Sequence, residues 1–436
     1  MNRTIKLSIS KFQNLWILVI FLVLSGIPLT AKTLQQLPEA IQDFSEFRGT
    51  IIDSQSKEPL AFATINVLET NISTITNSDG EFLLKVPSSY ISNSIHISFL
   101  GYQTKTIPLS SLNGEDIHIL LEEAAMQLSE IKINAPKDAK SLVKAALDKK
   151  GEYNLSEETV MTAFYRETIK KRRRDASLSE AIVEIYRQPS SSSKADKIKL
   201  IKARKSTDYS RLDTLAVKLQ GGPFSAIYAD VIKYPQFIFN DITFAEYEFS
   251  FDKPTEINNR SVYVVKFKQR PNITEPMHYG KLYIDAETFS LISAIYNLNV
   301  ENRERAAELF VKKKPNRVTV YPTEAAYRVD YRLKDNKWHY GYSNILLTFK
   351  VNWKGRLFNS VYTLSSEMAV TDWAKTLNDD PTRRETLRPT VILSEEASGF
   401  SDPAFWGEYN IIEPEKSIES AIDKINRHLE KQKETN

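Results

Sequence analysis

The run Asn77-Ser-Asp-Gly-Glu-Phe-Leu-Leu-Lys-Val-Pro87 constrains this chain more than any other stretch. Asp79-Gly80 is a short hairpin-turn signal, because Gly accepts φ > 0 at little cost and an Asp side chain bonds its own backbone. Upstream, Ile72, Thr74 and Thr76 alternate with Ser73, Ile75 and Asn77. Downstream, Phe82 and Leu84 alternate with Leu83 and Lys85, and Pro87 closes the run. A period of two on either side of a turn predicts a pair of β-strands. Ile95, Ile97 and Phe99 repeat the pattern before a bend at Gly101-Tyr102. Further strands are expected at Gly49–Asp53, Ala61–Leu68 and Ile117–Leu121. Short strands joined by turns predict a β-sandwich of the immunoglobulin-like or prealbumin-like kind over residues 47–123.

The same residues carry a resemblance. Gly49-Thr-Ile-Ile-Asp, Glu58-Pro-Leu-Ala-Phe-Ala-Thr-Ile-Asn-Val, Asp79-Gly-Glu-Phe and Ile97-Ser-Phe-Leu-Gly-Tyr together resemble the carboxypeptidase-like regulatory domain. Bacteroidota place this module at the start of many outer-membrane and periplasmic proteins, so the resemblance implies an envelope protein. Gln127-Leu-Ser-Glu-Ile-Lys-Ile-Asn-Ala resembles the segment that leads from the module into TonB-dependent transporters. No plug comes after it, and the remaining ~300 residues are too few for a 22-stranded barrel at ~10 residues per membrane strand plus loops. A transporter is not expected.

The chain has 436 residues, room for two or three domains at ~100–200 residues each. A net charge of +3 sets up no strong field for polyanions, and nucleic acid is no expected partner of an exported chain. The absence of Cys excludes disulfides, thiol catalysis, Cys-ligated zinc and a lipobox cysteine. Residues 1–31 read as a signal peptide. Arg3, Lys6 and Lys11 precede the apolar run Leu15–Leu24, then Ser25, Gly26 and Pro28 break it, with Ala31 at the cut. The rival reading, an uncleaved anchor, has an apolar run short of the ~20 residues a span prefers. Residues 32–46 read as a leader, and 124–137 as a linker with one short strand at Ile131-Lys-Ile.

Residues 138–430 read as a second, α+β domain. Asp138 is placed to cap a helix whose Leu142, Val143, Ala146 and Leu147 share a face and which Gly151 is expected to end. Antiparallel strands then dominate. The clearest hairpin runs through Tyr327, Val329 and Tyr331, turns at Asp335-Asn-Lys, and returns through Trp338, Tyr340 and Tyr342. Ile418, Ile422, Ile425 and Leu429 form the stripe of a terminal helix, which the Phe405-Trp406 cluster is expected to pin to the body. Tyr165-Arg-Glu, Leu178-Ser-Glu-Ala, Gln220-Gly-Gly-Pro, Gly280-Lys-Leu-Tyr-Ile-Asp and Asp402-Pro-Ala-Phe-Trp-Gly-Glu-Tyr-Asn are similar to the region C-terminal to the module in a set of Bacteroidota envelope proteins. At the level of fold, the pattern resembles periplasmic lipoprotein carriers and sensors and implies a curved half-barrel sheet with flanking helices.

Candidate chemistry is sparse. The histidines His96, His118, His278, His339 and His428 show no metallopeptidase spacing, and His96 and His118 read as solvent-facing strand positions. Glu180 and Glu184 share one strand face about 13 Å apart, too far for paired-carboxylate glycosidase chemistry, and read as a solvated or cavity-edge face. Ser179 lies in no nucleophile elbow, and Gly221-Gly222 in no phosphate loop. Lys170, Lys171, Arg172, Arg173 and Arg174 form either a solvated turn or a contact for an anionic headgroup. Tyr327, Tyr331, Trp338, Tyr340 and Tyr342, with Trp353 and Trp373 near by, form either a packed sheet face or the lining of a ligand pocket.

The expectation is a periplasmic or outer-membrane-associated protein that is not an enzyme and takes no cofactor or metal. Its leading role is binding or scaffolding in the envelope through exposed strand edges of the sandwich. A carrier or sensor of a lipid-like ligand is the alternative, and a hydrolase is disfavoured. Peripheral association with the outer membrane is compatible with either role.

Overall fold

The computed structural model describes residues 43–112, 116–124, 138–172, 174–207, 219–312, 314–355, 357–375, 381–399 and 405–415. The expected signal peptide, the linker strand and the terminal helix lie outside them.

The first domain is built from β1 (Phe44–Asp53), β2 (Thr64–Val67), β3 (Ser73–Ile75), β4 (Glu81–Pro87), β5 (Ser94–Ser98), β6 (Lys105–Pro108) and β7 (Ile117–Leu121). One sheet runs β4-β1-β7 and the other β3-β2-β5-β6. Alternate residues point between them, so Phe47, Ile51, Ile65, Val67, Phe82, Leu84, Ile95, Ile97 and Ile119 make a sealed core. Each such side chain contributes about 1.5–3 kcal/mol on leaving water. The expected Asp79-Gly80 hairpin does not form. β3 and β4 belong to different sheets, and the turn carries the chain from one layer to the other. Alternation specifies a strand and its buried face, but says nothing of its neighbour. Gly80 is still required: its φ is +73°, and a Cβ there would sit 2.7 Å from the Ile51 carbonyl oxygen.

The second domain opens with α1 (Ala139–Asp148). The Asp138 carboxylate accepts the Ser141 N–H at 2.8 Å, and Leu142, Val143 and Ala146 are buried. The helix stops at Asp148, before the expected Gly151, which lies inside the next turn, α2 (Lys150–Tyr153). The strands are β8 (Thr159–Lys171), β9 (Arg174–Arg187), β10 (Lys197–Thr207), β11 (Tyr247–Phe251), β12 (Thr255–Ile257), β13 (Arg260–Gln269), β14 (His278–Asp285), β15 (Leu291–Leu298), β16 (Val318–Lys334), β17 (Lys337–Trp353), β18 (Ser360–Lys375) and β19 (Ser398–Gly399). They form one twelve-stranded sheet in the order β11-β13-β14-β15-β16-β17-β18-β8-β9-β10-β19, with β12 beside β13. Every pairing is antiparallel except β10 with β19. Helical pieces α3 (Pro223–Tyr228), α4 (Thr243–Glu246), α5 (Arg303–Phe310) and α6 (Leu393–Glu396) interrupt the strands.

Both faces of the sheet are covered near its middle. On the inner face, Tyr165, Ala181, Val183, Tyr331, Trp338, Tyr340 and Val370 pack with Leu142 of α1 and Phe224 and Ile227 of α3. On the outer face, Phe164, Ile182, Tyr342 and Ala369 pack with Ile75 and Leu83 of the sandwich and with Trp406, Ile411 and Ile412. Residues 405–415 thus form a strap held against both the sandwich and the sheet. Its Asn410 accepts the Lys85 N–H at 2.7 Å and donates to the Lys85 carbonyl at 3.0 Å, occupying the edge of β4. The mostly β architecture, with a regulatory-type sandwich and a large antiparallel sheet, is the expected one. No helix among the described residues is long and apolar enough to cross a membrane.

Candidate functional site

The five aromatic residues expected on one sheet face divide between two. The β16–β17 ladder pairs Asp330 with Tyr342 and Tyr331 with Tyr340, so Gly341 is an extra residue in a β-bulge. That residue flips the phase. Trp338 and Tyr340 stay on the inner face, whereas Tyr342 turns outward and stacks on Phe62 of the sandwich at 5.4 Å. The four inner residues are packed, not arrayed around an opening. Tyr327 stacks on Tyr296 at 5.0 Å. Tyr331 donates its hydroxyl to Asp230 at 2.6 Å, and Tyr340 bonds Ser343 at 2.6 Å and the Ala226 carbonyl at 3.3 Å. The Trp338 ring is buried among them. A cleft of about 410 Å³ lies elsewhere, among the exposed turns around Gln269, Arg270, Thr274, Glu275, Asn299 and Asn302.

Beneath Tyr331 and Tyr340 lies a buried ionic group that the sequence does not announce. Arg187, at the end of β9, pairs with Asp196 at 2.5 Å and with Asp230. Tyr234 donates to Asp196 at 2.7 Å, and the Asp230 carboxylate also accepts the Ile232 and Lys233 N–H groups. Burial works against the Arg187 charge, but the two aspartates raise its pKa above the usual guanidinium value. Three buried charges are tolerated because all four carboxylate oxygens of the two aspartates have hydrogen-bond partners. The group anchors the segment around α3 to the sheet and closes the inner face.

Glu167 is different. It sits on β8 opposite Ser179 and Ser366, and its bonded partner is the Tyr165 hydroxyl at 3.1 Å. Burial pushes its pKa up to about 7, against smaller lowering by the Tyr165 and Ser179 hydroxyls.

The outer face carries a row of charge, and it overturns the solvated reading of Glu180. Across the strands the register sets Arg204 beside Glu180, Glu180 beside Arg166, Arg166 beside Glu367, Glu367 beside Asn344 and Asn344 beside Arg328. Glu180 is 0% exposed and accepts from Arg166 at 2.7 Å and from Arg204 at 2.8 Å. Arg166 also reaches Glu367 at 3.2 Å and the Ile412 carbonyl at 2.8 Å. Arg204 lies 4.7 Å from the Trp406 ring centre. Alternating sign along a row offsets the desolvation of each member. Glu184 keeps a half-exposed place near Lys199. The ladder fastens the strap.

Of the basic run, Lys170, Lys171, Arg172 and Arg174 lie at the β8–β9 turn, as expected, and Arg173 is outside the described residues. Lys170 pairs with Asp175 at 3.7 Å and Glu415 at 3.6 Å. His96 and His118 stand on different sheets of the sandwich, bonded to Thr106 and Thr50. Among the described residues no group of three or more His, Cys, Asp or Glu is placed to hold a metal.

Comparison with known proteins adds one finding about a part of the chain. A search of curated proteins gives no match. Among solved structures, a domain described as an outer membrane lipoprotein-sorting protein from Vibrio parahaemolyticus is 11% identical, covering 56% of this chain and 95% of that one, with a TM-score of 0.28. A DUF1329 family protein from Desulfovibrio piger is 9% identical, covering 56% and 96%, with a TM-score of 0.21. Likenesses this weak say nothing of what the chain does. Residues 47–133 match the family model of the CarboxypepD_reg-like domain, and the sandwich is the regulatory-type module within that span.

Proposed function

We propose that this protein is a non-enzymatic scaffold of the cell envelope, whose sandwich offers a strand edge to a protein partner. The observation that carries the reading is the asymmetry of the sandwich. Its β4 edge is taken by the strap on both the N–H and the carbonyl of Lys85, while β7 and β6 each end their sheet among the described strands, and on β7 the Leu120 carbonyl accepts from Lys105 at 3.2 Å. A strand edge held on a large rigid body is a template for β-augmentation, in which backbone hydrogen bonds give affinity and alternate side chains give specificity. Exposed His118 and Leu120 alternate along β7 with buried Ile117, Ile119 and Leu121, so the strand has a solvent-facing outer face flanking that edge. The alternative, a carrier of a lipid-like ligand, would need room on the inner aromatic face. The packing of Tyr331, Trp338 and Tyr340 under α3 weighs against it. Placement in the envelope rests on the apolar start of the sequence and on the resemblance of the module.

A photo-crosslinking residue at His118 or Leu120, compared in cells with one at Glu248 on β11, tests the reading. Discrete adducts from β7 that are missing from β11 are expected. Equal or absent adducts would overturn it, as would a stoichiometric lipid retained by the purified chain in native mass spectrometry.

A further inference from the structure

Two turns lie side by side at one end of the large sheet. Lys171, ending β8, pairs with Tyr362 near the start of β18, and the Arg172 N–H donates to the Val361 carbonyl at 2.8 Å. The start of β16 joins them, because Val318 pairs with Trp353 and the Lys354 N–H donates to the Arg317 carbonyl at 3.0 Å. Exposed Arg172, Arg174, Arg317 and Lys354 therefore gather around the β17–β18 turn. The nearby acids Asp175 and Glu415 both pair with Lys170. At the turn itself Leu357 is 94% exposed and Phe358 78%, the two most exposed large apolar side chains among the described residues.

Scattered exposed apolar residues are ordinary. An adjacent Leu-Phe pair on a projecting turn, bordered by four exposed cations, is a different arrangement. It matches a bilayer interface, where apolar groups enter the acyl boundary and cations meet headgroup phosphates. We infer that this end of the sheet docks on an anionic phospholipid surface, with Leu357 and Phe358 inserted and Arg172, Arg174, Arg317 and Lys354 against the phosphates. The inference stands apart from the strand-edge reading, since it uses the other domain and a different kind of partner.

The chain has no cysteine, so Phe358→Cys gives a single attachment point for an environment-sensitive fluorophore. Ile242→Cys, at a residue 77% exposed just before α4, is the control. In the full chain the apolar run Leu15–Leu24 can tether the protein to any vesicle, but the label reports only whether its own site enters the bilayer. Vesicles of phosphatidylglycerol mixed with phosphatidylcholine should shift the emission of the label at 358 to the blue, and high salt should weaken the response. Pure phosphatidylcholine should give no shift, and the label at 242 should stay unchanged. At about fivefold per cation near an anionic surface, Arg172→Gln with Arg174→Gln should raise the lipid concentration at half-response about 25-fold. No shift with anionic vesicles, or an equal shift with neutral ones, would overturn the inference. So would an equal response at 242, or a label at 358 already blue-shifted without lipid as protein concentration rises, which would place a second copy on the turn.

Discussion

Replacing Glu167 by Gln should make the protein more stable above neutral pH and leave it nearly unchanged in acid. The carboxyl ionises near 4.5 when unfolded and at about 7 in the folded chain, because burial on β8 opposite Ser179 and Ser366 disfavours its charge. Between those two values the folded state holds the proton that the unfolded state has released. Stability due to this group is therefore full below about 4.5 and falls as pH rises through 7. At about 1.4 kcal/mol per tenfold change, the loss by pH 8 is about 3 kcal/mol. Gln has the shape of the protonated carboxyl, can still accept from the Tyr165 hydroxyl, and cannot ionise. His278 and His339, which burial depresses to about 4, contribute with the opposite sign but equally in both proteins. Urea unfolding of wild type and Glu167→Gln at several pH values isolates the carboxyl as a difference. That difference should be within about 1 kcal/mol of zero at pH 5 and near 3 kcal/mol in favour of the variant at pH 8. A flat difference, or a variant weaker at pH 8, would refute the assignment of a raised pKa.

Other substitutions probe the joints. Glu180→Ala leaves Arg166 and Arg204 buried around a missing charge and should cost about 3–5 kcal/mol in denaturant unfolding, whereas a solvated Glu180 would cost under about 0.5 kcal/mol. Trp406→Ala removes the ring that meets Phe164 edge-on at 5.6 Å and lies under Arg204, and should cost about 3–5 kcal/mol. It should also open the strap to limited proteolysis, and unchanged protection would count against the strap as a fastener. Gly49→Ala would bring a Cβ within 2.2 Å of the Ile117 carbonyl oxygen, so β7 should separate from β1 at a cost of about 1–3 kcal/mol, read as faster hydrogen exchange in both strands.

The parts of the fold that were legible in the sequence are those set by local physics. Asp138 announces its helix because its carboxylate has an N–H within reach. Asp335-Asn336 announces its hairpin because both residues adopt positive φ, as a two-residue turn between twisted strands demands. What could not be read depends on distant partners. Glu180 looks solvated until residues more than two hundred positions later cover it, and nothing in Leu178-Ser-Glu-Ala signals that cover. The aromatic alternation of β17 looked unbroken because a bulge at Gly341 leaves no mark except the glycine itself. Gly341 faces Arg332, where a Cβ would lie 3.1 Å from its Cγ, and that crowding is visible only in three dimensions. The exposed Leu357-Phe358 pair was in plain view, but a short apolar step between strands reads as core until the turn is seen to project.

The strap makes the cover of the first domain depend on residues made more than three hundred positions later. During synthesis the sandwich emerges early, and its internal core needs nothing from later residues. Its β4 edge, however, stays open until Asn410 arrives. A chain that stops short of residue 405 would therefore present a folded first domain with a sticky strand and an unshielded row of arginines and glutamates. Exposed edges and unpaired charge of this kind are what proteases and holding chaperones engage. Arrival of residues 405–415 would thus cover the β4 edge and the charged row together, and a chain without them would keep both exposed.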